Sequence, residues 1–208
     1  MGKDHNLSRR FTVLTVINCV CLVASNIFET KIFAAGPLTL TGGFLIFPLV
    51  YIVNDCLTEV YGYRGARFAI LLSFLVNAAF VVVAQLVRIL PPVPYCDAQP
   101  HLDYLFTADL RITAASMLAF LVGSLLNSLV LDKMKERQGE RGFGWRAVVS
   151  SIVGESVDSL IFFPIAFFGV GTRNIIIMMV TQALLKTLYE IIVLPLTSIY
   201  VRYLRARL

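Results

Sequence analysis

The chain has 208 residues, of which 58% are hydrophobic and only 15% charged, and its mean hydropathy is +0.79. An ordinary soluble domain carries about 25% charged residues, so this balance excludes a soluble globular protein and points to an integral membrane protein. By its sum alone the net charge of +5 would suit a nucleic-acid binder, but the placement of the charges argues against one.

Six apolar runs reach the ~20 residues a helix needs to cross hydrocarbon: Phe11 to Glu29, Leu40 to Tyr61, Phe68 to Leu90, Ile112 to Leu131, Ala147 to Gly169, and Asn174 to Tyr200. The expected fold is all-α, a single polytopic domain over residues 1–208. The basic-then-apolar start resembles a signal peptide, yet Asn18 and Asn26 interrupt the run and no small-x-small site follows, so it reads as a retained first span. With the N-terminus in the cytoplasm, thirteen of the 18 Lys and Arg residues fall in cytoplasmic segments, Lys31, Arg88, Arg111 and Arg173 fall outside, and Lys186 lies within a span. The positive-inside rule then predicts both termini in the cytoplasm. On this reading the basic loop from Asp132 to Arg146 is an orientation signal.

In the first span Asn18, Leu22, Ser25 and Glu29 form one helical stripe expected to face the bundle. The connection from Thr30 to Gly43, with Gly36, Pro37 and Gly42-Gly43, reads as flexible and turn-rich. The second span holds Asn54, Asp55 and Glu59 in its inner half, where an acid costs at least a few kcal/mol. Asp55 and Glu59 share a helix face with Tyr51 and Pro48, and Asp55 lies roughly 12 Å from the cytoplasmic end at ~1.5 Å per residue. Glu59 is also open to a plainer reading, an acid reaching interfacial water near a helix end. Pro48, inside the span, favours a kink, and YGYRGAR reads as a tight cytoplasmic hairpin. The third span is the least polar and reads as scaffold. Pro91 to Asp109 reads as an irregular outer loop with Tyr95 and Tyr104 as interfacial anchors.

Ala115, Ala119, Gly123 and Asn127 make a small-residue ridge along the fourth span, suited to close helix packing; Asn127 can also reach a cavity. The fifth span places Glu155 and Asp158 near mid-membrane, and the sixth puts Gln182, Lys186 and Glu190 on one face. Lys186 has two open readings, internal neutralisation by Glu190 or Asp158, or contact with a ligand. Four or five acids face this single deep base, so pairing with it cannot absorb them all.

The only histidines, His5 and His101, lie outside the spans, so neither a Ser-His nucleophile nor a His-based zinc site is available. Cys19, Cys21, Cys56 and Cys96 show no metal or redox spacing, and no phosphate-binding loop is present. A polar cavity without catalytic parts reads as a carrier rather than an enzyme, with no cofactor and no metal. Acids on its wall suit a solute rich in N–H donors, since a carboxylate accepts two parallel hydrogen bonds. Tyr51, Phe162, Phe163 and Tyr189 are aromatics open to either ring stacking or helix packing.

SNIFETKIF, GGFLIFPLVYIVNDCLTEVYG, ASMLAFLVGSLLN and GESVDSLIFFPIAFFG together resemble the queuosine-precursor transporter family, also described as vitamin-uptake-like, over nearly the whole chain. The resemblance implies a six-helix protein of the bacterial inner membrane that imports 7-deazaguanines, such as 7-cyano- or 7-aminomethyl-7-deazaguanine or queuine, as a secondary carrier or facilitator. It carries over Asn54, Asp55, Glu59, Glu155, Asp158 and Lys186 as site residues. Tyr51, Asn127, Glu190 and Asn26 complete the substrate-binding set we expect. Many members have Gln and Asp where this chain has Ser124 and Asn127, which removes an acid from the implied pocket and leaves the precursor open. The alternative is the substrate-binding subunit of an ATP-driven vitamin-type importer. The expected partners are the small-molecule substrate and the lipid bilayer, with a homodimer left open and no nucleic acid.

Overall fold

In hydrocarbon every backbone N–H and C=O must be satisfied within its own segment, and most of each apolar run of this chain meets that demand as a helix. The computed structural model describes residues 2–35, 38–93, 95, 97–106, 110–139, 142–169 and 172–206. Gly36, Pro37, Cys96, Asp109, Arg141 and Arg207 lie outside the described residues, as do the side chains of Lys3, His5 and Arg173. The elements are α1 (Gly2–Phe28), β1 (Ile32–Ala35), β2 (Leu38–Thr41), a 3-10 turn (Gly42–Leu45), α2 (Phe47–Arg88), α3 (Gln99–Phe106), α4 (Leu110–Gln138), α5 (Phe143–Ala166) and α6 (Thr172–Arg205).

Five helical segments among the described residues are long and apolar enough to cross a membrane: Arg9–Phe28, Gly42–Arg88, Arg111–Gln138, Phe143–Ala166 and Met179–Arg205. The second and third expected spans form one element, but not one rod. Gly62 has φ 72 and ψ 173, a conformation essentially confined to glycine. Val50 and Ile70 lie on either side of it and share one cluster with Leu22, although a straight helix would hold them ~30 Å apart. The chain therefore reverses at Gly62. Asp132 of α4 caps the second arm by accepting the Tyr63 N–H at 3.2 Å. The hairpin expected over seven residues is narrowed to one, because the flanking residues keep helical geometry.

Other expectations change as well. Pro48 sits in the first turn of α2, where its missing N–H costs no helical bond, so it starts the helix and does not kink it. The connection after α1 is an antiparallel hairpin in the register Ile32↔Thr41, Phe33↔Leu40, Ala34↔Thr39 and Ala35↔Leu38. The fold is thus nearly all helical, with one short hairpin. The outer loop contains α3, tied down by Gln85 Nε2 to the Phe106 carbonyl at 2.7 Å and by Gln99 Nε2 to the Arg88 carbonyl at 3.0 Å. The first half of the basic loop is absorbed by α4, since Asp132 to Gln138 is rich in helix formers.

Two buried clusters fill the interior, one around Leu14, Leu57, Ala69 and Leu204 and the other around Leu22, Val50, Ile70 and Phe120. Gly123 and Gly154 bring α4 and α5 together: a Cβ on Gly154 would lie 2.7 Å from Asn127 Cβ and 2.9 Å from the Gly123 carbonyl. On α6 the residues Val180, Leu184, Leu188, Ile191, Ile192, Leu196 and Ile199 are exposed, while Lys186, Glu190 and Thr197 are buried. An apolar outside with charges inside suits lipid and not water. The Arg10 guanidinium lies 5.7 Å from the Tyr203 ring, so α1 begins beside the end of α6.

Candidate binding site

At the end away from the termini, the bundle contains a partly open cavity of about 30 Å³ bordered by all five long helices. Ser25, Asn26 and Glu29 come from α1, Thr41, Gly43 and Phe44 from the following connection, and Phe47 from α2. Ser116 comes from α4, Asp158, Phe162 and Phe163 from α5, and Gln182 and Lys186 from α6. The i, i+4 rule explains the shared wall: Gln182 and Lys186 are one turn apart, as are Ser25 and Glu29, and Asp158 and Phe162.

Asp158 Oδ2 and Lys186 Nζ pair at 3.1 Å, with side chains 7% and 9% exposed. The same ammonium lies 4.3 Å from the Phe47 ring centroid, a cation–π distance. Thr41 donates to Glu29 Oε2 at 2.7 Å. Any Cβ on Gly43 would run into that carboxylate, so the glycine is what lets Glu29 lie across the cavity mouth. Asn26 is held by Asn77 at 3.0 Å and Ser116 at 3.3 Å. At about 30 Å³ the space is enough for ordered water, which needs ~10–15 Å³, and far below the ~300–1,000 Å³ of a typical ligand pocket. In this conformation the helices leave little room between the polar groups.

Beneath the cavity lies a second polar layer. Asn127 Nδ2 donates to Asp55 at 2.7 Å, and Asn127 Oδ1 lies 3.5 Å from Ser151 Oγ; the Ser151 hydroxyl donates to Glu190 at 2.7 Å, and Thr187 to Glu155 at 3.1 Å. The carboxyl groups of Asp55 and Glu190 are also close enough to interact. Tyr51 and Asn54 are fully buried in the same helix, and neither Asn54 side-chain polar atom has a hydrogen-bond partner among the described residues. Of the ten expected site residues, Asn26, Asp158 and Lys186 therefore border the cavity, and Tyr51, Asn54, Asp55, Asn127, Glu155 and Glu190 lie outside its lining. Glu59 stands apart, at the end carrying the termini. Arg146 Nη2 meets its Oε1 at 2.7 Å with both side chains at 0% exposure, and Arg205 reaches the same oxygen.

Arg146 corrects the expected charge balance: it is a second deep base, placed in the sequence reading among the loop charges. The signal was present, because Arg146, Ser150, Gly154 and Asp158 recur every fourth residue once α5 is extended back to Phe143. Phe47, one turn before Tyr51, was overlooked in the same way. Even so, among the described residues Asp55, Glu155 and Glu190 accept their hydrogen bonds from neutral side chains, and of the three Glu155 also feels the charge of Lys186.

A multi-pass bundle with a charged interior and a lipid-suited exterior is the architecture of a polytopic membrane protein. Residues 41–200 match the family described as "Putative vitamin uptake transporter", and the chain belongs to that family. It is 26% identical over 179 residues to the "Probable queuosine precursor transporter" of Haemophilus influenzae, covering 80% of this chain and 73% of that protein. It is likewise 26% identical over 175 residues to the protein of the same name from Bacillus subtilis, covering 83% and 76%. No solved structure matches it. The protein is a multi-pass transporter of the bacterial inner membrane and not an enzyme.

Proposed function

We propose that this transporter imports a queuosine precursor, a 7-deazaguanine, as a secondary carrier, and that it crosses the membrane six times with both termini in the cytoplasm. The reversal at Gly62 supports six crossings, as does the meeting of Arg10 with Tyr203, which calls for an even number. The observation that carries the substrate reading is the Asp158–Lys186 pair among Phe47, Phe162 and Phe163. A deazaguanine presents a ring N–H beside an exocyclic amine, the edge a carboxylate takes in two parallel bonds, and its carbonyl suits a lysine. The flat bicycle fits between aromatic faces. Binding then requires the cavity to widen and Lys186 to exchange part of its hold on Asp158 for the ligand. The names of the two bacterial relatives support the queuosine-precursor part of this reading.

The test is uptake of labelled 7-cyano-7-deazaguanine by cells that can neither make nor import it, with and without this chain. Uptake is expected with the wild type and is lost in Asp158→Asn at equal membrane abundance; full uptake by that variant would remove Asp158 from the site. Purified protein in liposomes is expected to move the solute without ATP or added subunits, which an ATP-driven importer's binding subunit would not do.

A further inference from the structure

The Glu59 centre is not used by the cavity, and its construction is unlike a mere helix contact. Glu59 of α2 and Arg146 of α5 have no exposed side-chain surface and meet at 2.7 Å. Arg205 of α6 shares the same carboxylate oxygen, and Lys135 of α4 donates to the Glu59 carbonyl at 2.6 Å. Four helices are drawn together around one residue, at the end where α1 begins and α6 finishes. On its outer flank a cleft of about 460 Å³ is bordered by Gly142, Phe143, Ser198, Arg202 and Arg205. Arg205 thus belongs both to the lock and to the surface outside it.

We propose that Glu59, Arg146 and Arg205 form the cytoplasmic gate of the transport path, closed in this structure and opened once per cycle. The inference rests on the carrier reading. An apolar plug would seal this end equally well, but opening it would expose apolar surface to water, which is unfavourable at every turnover. Separated charges regain their hydration, so an ion-paired seal can open and close at smaller cost. Buried ion pairs are poor adhesives compared with apolar residues of the same volume, and a switching role is where they are best attested. The polar layer of Asp55, Asn127 and Glu190 lies on the cavity side of Glu59, so water entering through an opened gate meets hydrogen-bonding groups.

The chain carries its own reporter. Cys56 is three residues before Glu59, 3% exposed, and closed in by the same helix ends. The experiment keeps Cys56, replaces Cys19, Cys21 and Cys96 with Ser, and follows its reaction with a membrane-impermeant methanethiosulfonate in right-side-out and inside-out vesicles. The parent protein is expected to react slowly from both sides. Glu59→Gln should raise the rate from the cytoplasmic side on the order of tenfold and leave the other side unchanged. Arg205→Gln, which removes the partly exposed partner, should give a smaller rise on the same side, and it carries the reading if Glu59→Gln fails to reach the membrane. Unchanged rates, or equal increases from both sides, would overturn the gate. None of these measurements involves a solute, so a failure of precursor uptake strikes the transport reading while unchanged Cys56 labelling strikes the gate alone.

Discussion

Lys186 and Asp158 hold each other where almost no water reaches them, so each depends on the other for compensation. Removing one partner of a buried pair leaves a charge unanswered, at ~3–5 kcal/mol, whereas removing both is often close to neutral. Lys186→Met is therefore expected to lower the thermal unfolding midpoint of the detergent-solubilised protein strongly, and adding Asp158→Asn should recover most of the loss. Uptake stays absent in the double variant, because the groups offered to the ligand are gone. Recovery of stability together with uptake would mean that the pair is structural only. Phe47 adds a contact that a charge count misses: its ring lies beneath the ammonium, so Phe47→Leu should weaken uptake while the Asp158–Lys186 pair remains.

Two elements depend on glycines that no other residue replaces easily. At Gly62 an L side chain would be strained by the φ of 72 and ψ of 173, at a cost of ~1–3 kcal/mol. Gly62→Ala is expected to lower the unfolding midpoint and the amount of protein in the membrane. Gly154→Ala places a methyl group 2.7 Å from Asn127 Cβ, so α4 and α5 must part or Asn127 must move, with an overpacking cost of ~1–3 kcal/mol. Because Asn127 holds Asp55, uptake should fall along with stability; an unchanged rate would show that the second polar layer tolerates displacement. The element scale is also where the sequence reading lost detail. Hydropathy places an apolar run well but cannot say whether two runs are parted by a loop or by a single glycine, since both patterns look alike along the chain. Nor could it separate a proline that kinks a helix from one that starts it, because that depends on which residue makes the first helical bond.

Across the whole molecule, charge sorts by end. The Glu59 gate and the termini share one end, and the cavity with its acids and aromatic rings lies toward the other. A reporter enzyme active only outside the cytoplasm, fused after Ile89, is expected to be active, and the same fusion after Gln138 inactive; the opposite pattern would reverse the proposed orientation. By itself the sequence determined that this is a transporter of apolar helices, where its basic residues cluster, and that acids stand within its apolar runs. Hydropathy and helical spacing are local properties, and the family motifs are contiguous stretches. Only the tertiary structure decided how those acids divide. Asp158 meets Lys186 at the cavity, Glu59 meets Arg146 and Arg205 at the far end, and Asp55 and Glu190 lie in a layer between them. The partners are 28 to 146 positions apart in the chain, and which charges become neighbours is fixed by the turn at Gly62 and the close approach of α4 and α5.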